Sequence, residues 1–185
     1  MIVAAFDLAT EAGCCDGAVA GRPRLWTWFL SDAGAGRPER LLMLAKFLRK
    51  YFETQPCERV VYELPMPLGM IGSKKDKRIM MSEQSIAFSR GAIGVLEMTC
   101  AEHSKPVEGV SAQDARQSVL GWRTNRSGKG TTKARIMQEV TGLHHVAAEN
   151  HNEADAYIAW AYACARLNPR LAVAYTPLFR DQTGA

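Results

Sequence analysis

Three carboxylates in this chain stand where a rigid scaffold could aim them at one point. Asp7 follows the apolar run Ile2–Phe6, Glu63 follows a second apolar run at Arg59–Tyr62, and Asp155 falls in the first turn of an Ala-rich segment beginning near Asn152. A carboxylate at the end of a buried strand is held by the sheet while it faces a cleft, and a group of such oxygens suits a hard divalent cation. Taken singly, each acid has an ordinary reading. One that closes a strand is most often a turn residue or an ion-pair partner, and one near a helix start usually serves the macrodipole. The chemistry depends on whether the three meet.

Basic residues form the second candidate feature. Lys74, Lys75, Lys77 and Arg78 crowd one segment, and Arg123, Arg126, Lys129, Lys133 and Arg135 lie in and after another. Such clusters neutralise phosphates and give salt-dependent affinity for nucleic acid, although charge runs on loops are commonly just solvated. Other constellations are weaker. His144, His145, His151 and the scattered cysteines lack zinc-ligand spacing, and Gly128-Lys-Gly-Thr-Thr132 lacks the order of a phosphate loop. Trp26, Trp28, Trp122 and Trp160 read as core or interface residues, with Trp122 also placed to touch DNA.

Positioning these residues needs a sheet with helices. Ile2–Phe6 reads as a buried strand, and β-rich pieces near Cys14–Ala20 and Arg24–Leu30, split by Gly21-Arg22-Pro23, complete a three-stranded meander. Leu41, Leu44, Ala45, Leu48 and Phe52 recur at helical spacing after Pro38. A strand at Arg59–Tyr62 follows, then a long Pro/Gly-interrupted loop from Leu64 to Met81. Helices are expected from Ser82 to about Cys100, from Ser111 to Leu120, from Thr132 to Val140 and from Asn152 to Leu167, with a strand at Pro106–Val110. The sum is an α/β order in which one mixed five-stranded sheet, its first three strands antiparallel, is flanked by helices.

The chain has 185 residues, 47% of them hydrophobic and 23% charged, which fits one globular domain spanning 1–185 with a loosely ordered tail over 168–185. The net charge of +4 is compatible with a polyanionic partner and does not by itself select one. Five cysteines without a CxxC pair argue for free thiols in a reducing compartment. No signal peptide or membrane span is read, so a soluble, cytoplasmic protein is expected.

In element order and acid placement the chain resembles RuvC-type Holliday-junction resolvases of the RNase H-like nuclease superfamily. Val3-Ala-Ala-Phe-Asp7 resembles the family's first-strand aspartate, Val60-Val-Tyr-Glu63 its fourth-strand glutamate, and Asn152-Glu-Ala-Asp155-Ala156 its helical acidic motif. Ser89-Arg-Gly91 and the stretch from Asp114-Ala-Arg116 to Gly121 also resemble family signatures, and the similarity runs from Ile2 to Arg166. The resemblance implies an RNase H-like fold and a homodimer that cuts two strands of a four-way or branched DNA junction symmetrically. It further implies two Mg²⁺ per site, with Mn²⁺ able to substitute, held by Asp7, Glu63 and Asp155. Lys133 matches a catalytic lysine and Arg116 a lysine of the family, and the resemblance puts both, with Met66, among the residues that contact DNA. The setting implied is the cytoplasm of a bacterial or phage-infected cell, with the phage-type branch favoured.

Two departures are visible. The family's helix carries a second carboxylate where this chain has Asn152, which shares a face with Asp155 and offers a neutral amide oxygen. His151, one turn before Asp155, is an alternative ligand or a base positioning water, and Glu153 lies on another face. Three residues after Glu63, where the family places an aromatic wedge, stands Met66 between Pro65 and Pro67. The rival readings are an RNase H-fold nucleic-acid-binding module with impaired catalysis and a related RNA nuclease. One lobe of an actin-like phosphotransferase is disfavoured by the absence of a second lobe and of a glycine-rich turn after Asp7.

Overall fold

In the computed structural model the described residues are 1–30, 35–65, 83–123 and 132–170. Ile2–Asp7 (β1), Glu11–Ala18 (β2), Arg24–Phe29 (β3), Arg59–Leu64 (β4) and Val107–Ser111 (β5) form one five-stranded sheet in the order β3-β2-β1-β4-β5. The first three strands are antiparallel, whereas β4 runs parallel to β1 and β5 parallel to β4. The expected mixed sheet is present, with one shift. The second strand begins at Glu11 rather than near Cys14, because Glu11 and Ala12 pair with Phe29 and Trp28 of β3 beyond the last β1 pair, Asp7 with Gly13. Val19 and Ala20, placed at the end of that strand from sequence, instead turn, the Gly21 N–H donating to the Ala18 carbonyl at 2.8 Å.

The uninterrupted apolar run of β1 is explained by helices on both sides. Alternate residues point to opposite faces. Ala4 and Phe6 join Cys14, Val60 and Tyr62 under the helices Arg37–Thr54 (α1) and Glu83–Glu102 (α2). Val3 and Ala5 join Cys15, Val61 and Val110 under Ala112–Leu120 (α3), Thr132–His144 (α4) and His151–Leu167 (α5). All five cysteines are free and buried. Among the described residues no helix is long and apolar enough to cross a membrane.

Local signals set the helix ends near the site. Ser111 caps α3 by accepting from the Asp114 N–H, and Gly121, at φ 81°, ends it in the left-handed region that favours glycine. Asn150 caps α5 by accepting from the N–H groups of Asn152 and Glu153. The small residues of α5 let it lie close on the sheet. A Cβ placed on Gly13 would come within 2.0 Å of the Asn152 carbonyl oxygen. Of the expected tail, 168–170 are described, and the Asn168 N–H closes α5 on the Cys164 carbonyl.

Candidate metal and nucleic-acid site

The parallel register of β1 and β4 fixes the first two acids. Phe6 is paired with Tyr62, so Asp7 and Glu63, each one residue further on, leave adjacent strands at the same end. By alternation both continue the face of Val3, Ala5 and Val61, which is the face that α5 covers. Asp155, nearly buried near the start of α5, meets them there. Burial and the neighbouring Asp155 charge push the Asp7 carboxyl up to about 7, and burial with the Asp155 and Asp7 charges pushes Glu63 up to about 8. Lys133 and Arg116 pull both the other way without cancelling the rise. The three acids predicted from sequence therefore converge electrostatically.

Arg116 reaches into this group from α3. Its terminal nitrogen lies 3.1 Å from Asp155 Oδ1 and 3.8 Å from Glu63 Oε2, while its Nε is buried without a hydrogen-bond partner. The sequence placed Arg116 among the DNA-binding residues; in the fold its guanidinium serves as counter-charge to two of the acids. Lys133, from α4, sits 2.5 Å from His151 Nε2. That ring nitrogen must accept from the ammonium, so His151 is neutral there with its proton on Nδ1. Burial, then the Lys133 charge, holds the His151 pKa below its ordinary value.

The neighbouring positions on α5 divide as their faces require. Asn152 is buried, and its amide nitrogen donates to the Glu11 carbonyl at 2.6 Å, which fixes the orientation of the side chain. Glu153 is also buried but faces β3 and the loop before α5. It accepts from Thr27 Oγ1 at 2.7 Å and from the Glu149 N–H at 2.8 Å. The Asn-x-x-Glu pattern at 150–153 is a sequence signal for this reciprocal cap, and it went unread.

Among the described residues, no three His, Cys, Asp or Glu side chains are already arranged to hold one metal ion. The donor set nonetheless fits a hard divalent cation. It is made of carboxylate oxygens, and burial first, then the Asp155 charge, makes Asp7 and Glu63 costly to ionise despite Arg116 and Lys133, a cost that a bound cation would lower. Asp7, Glu63 and Asp155 would hold such a cation.

From Asp7 and Glu63 a cleft of about 790 Å³ opens between the starts of α1 and α2, where Arg37, Arg40, Gln84 and Ser89 line it. The predicted nucleic-acid contacts fare unequally. Arg123 is exposed and ion-paired to Asp114 at 2.9 Å. Trp122 packs away against α4, its indole N–H donating to Glu139 at 2.6 Å and its ring under the Arg135 guanidinium at 4.3 Å. Met66, Lys74, Lys75, Lys77, Arg78, Arg126 and Lys129 lie outside the described residues.

No protein-family model and no curated protein sequence matches this chain. Solved structures do. Thermus thermophilus RuvC aligns over 90% of this chain and 96% of its own with a TM-score of 0.63 at 17% identity. The structure of T. thermophilus RuvC in complex with a Holliday junction substrate gives a TM-score of 0.67 at 16% identity, over 92% and 96% of the two chains. The yeast mitochondrial Holliday junction resolvase aligns over 92% of this chain and 82% of its own, with a TM-score of 0.56 at 7% identity. The chain has the RNase H-like fold of RuvC, as the sequence resemblance implied.

Proposed function

We propose that this protein is a metal-dependent, structure-selective endonuclease that cuts four-way (Holliday) or branched DNA junctions by phosphodiester hydrolysis to 5′-phosphate ends. The observation that carries the reading is the convergence of Asp7, Glu63 and Asp155 at one end of a RuvC-type sheet, beside an open cleft. Symmetric cutting of two strands calls for two copies of the chain, so the active form in this reading is a homodimer.

Asp7, Glu63 and Asp155 would hold Mg²⁺, with Mn²⁺ as a substitute. Divalent cations bound by these acids supply activation of a water and stabilisation of the leaving 3′ oxygen. The protein's own groups do the rest. The hydrogen bond to Glu11 occupies the Asn152 amide nitrogen, so Oδ1 would be the atom this side chain could offer a cation. Neutral His151 takes one of the three Lys133 protons and anchors the ammonium beside the acids. The remaining two protons are available to the scissile phosphate, where they stabilise developing charge. Arg116 balances Glu63 and Asp155 in the metal-free protein.

A second reading, a nucleic-acid-binding module with impaired catalysis, is favoured by the neutral Asn152 and by the guanidinium already seated between two of the acids. One experiment separates the two. A labelled four-way junction and a matching linear duplex are incubated with the protein in Mg²⁺ or EDTA, beside Asp7→Asn and Asn152→Asp. Paired nicks on the junction that need Mg²⁺ and vanish in Asp7→Asn support the resolvase. Binding without cutting, rescued by Asn152→Asp, supports the impaired module. Neither binding nor cutting overturns the junction reading.

A further inference from the structure

The cleft lined by Asp7 and Glu63 is also lined by cationic side chains. They come from the first turn of α1, where Arg37 and Arg40 both line the opening. Among the described residues neither arginine has an ion-pair partner, in contrast to Arg24, Arg49, Arg59, Arg116, Arg123, Arg135 and Arg166. Arg40 Nε is moreover buried with no hydrogen-bond acceptor. A buried donor without an acceptor is uncommon and points to a partner that arrives with a ligand.

The backbone adds to this charge. Gly36 offers α1 no side-chain cap, and Pro38 has no N–H to satisfy. The helix therefore presents its positive end toward the same opening. The anion of this turn is Glu39, whose carboxylate folds back over Gly36. The cleft is lined both by acids that suit a cation and by two guanidinium groups that have no ion-pair partner among the described residues. A phosphodiester strand matches that combination, with the scissile phosphate at the acids and its neighbours along the cleft.

We propose that Arg37 and Arg40 grip the backbone phosphates of the strand next to the cut, so that the start of α1 sets where that strand lies relative to Asp7 and Glu63. The proposal rests on the nuclease reading and extends it to residues outside both basic segments. Recognition here is of phosphate rather than base, so it holds the strand irrespective of sequence.

The test is binding of a fluorescent four-way junction in EDTA, followed by anisotropy over a series of salt concentrations. The proteins are the parent, Arg37→Ala, Arg40→Ala, the double variant, Glu39→Ala, and Lys50→Ala as a control on the same helix. Loss of two phosphate contacts should weaken binding by about tenfold or more and make the log–log salt slope shallower by about 1.8. Glu39→Ala should bind more tightly than the parent, and Lys50→Ala should match it. The Mg²⁺-induced thermal shift should be unchanged in Arg37→Ala, whose side chain is exposed. A double variant with the parent's affinity and salt slope overturns the proposal and leaves the nuclease reading standing. A parent that binds no junction overturns both.

Discussion

Replacing Asp7 by asparagine should stabilise the metal-free protein at alkaline pH, an effect opposite to that of most buried substitutions. The Asp7 and Glu63 carboxyls are pushed up to about 7 and about 8 by burial first and then by the Asp155 charge, with Asp7 adding to the rise at Glu63. Unfolding returns them to ordinary values near 4, so between those limits the folded state holds more protons than the unfolded state. Stability is then greatest below about pH 4 and is lost as pH rises toward 7–8. Because Asp7 acts on Glu63 and both answer to Asp155, the pair is counted as one extra proton over pH 5–7. Each pH unit then costs about 1.4 kcal/mol, or about 3 kcal/mol across that range.

Asp7→Asn removes one raised carboxyl and the smallest of the three causes that raise Glu63, so its stability should fall less steeply over the same range and exceed the parent's at pH 8. In the parent, saturating Mg²⁺ should restore about 2.7 kcal/mol at a hundredfold excess over its Kd, and in Asp7→Asn it should restore far less. Urea unfolding at pH 5.5 and pH 8, in EDTA and in Mg²⁺, measures all four quantities. A metal-free parent whose stability is level or rises from pH 5.5 to 8, or an Asp7→Asn variant less stable than it at pH 8, would refute the reasoning.

Other perturbations follow from single contacts. Gly13→Ala drives a methyl into the Asn152 carbonyl, which should cost about 3 kcal/mol in thermal or urea unfolding and displace Asp155 with α5. Arg116→Met strips the counter-charge from Glu63 and Asp155; metal-free stability at pH 8 should fall by about 3 kcal/mol, while calorimetry should show tighter Mg²⁺ binding once the guanidinium no longer competes. Lys133→Met removes a cation lying 2.5 Å from His151, so the imidazole pKa followed by NMR should rise toward its ordinary value; a fall would mean that the contact does not persist in solution.

The acids were legible because a strand buried on both faces reads as an unbroken apolar run, and the first polar residue after it marks its exposed end. Asp7 and Glu63 follow such runs, and the structure places them side by side. Helix periodicity located α1 to within two residues at either end, and the Ser111 cap was visible as a residue type. Arg116 was harder. Nothing in its spacing separates an arginine that points at solvent from one turned in toward Asp155, because that depends on how α3 packs against α5. Trp122 shows the same limit from the other side. Its basic neighbours suggested a DNA contact, yet Glu139 and Arg135, on the next helix, hold it down. The second strand was shifted because Glu11–Gly13 carries no β-branched or aromatic residue, and its pairing with β3 decides its start.

The helix α5 closes the core as well as the site. Its Tyr157, Ile158, Trp160, Ala161 and Cys164 cover the face of Val3, Ala5 and Val61, a surface that has been waiting since the first strand left the ribosome. Asp155 arrives in the same event. In the nuclease reading, a chain still being synthesised carries two acids on an open sheet and cannot yet cut DNA. Catalytic competence and completion of the fold then share one step, and a truncated product that stops before α5 is inert as an enzyme and recognisable to quality control by its bare apolar face.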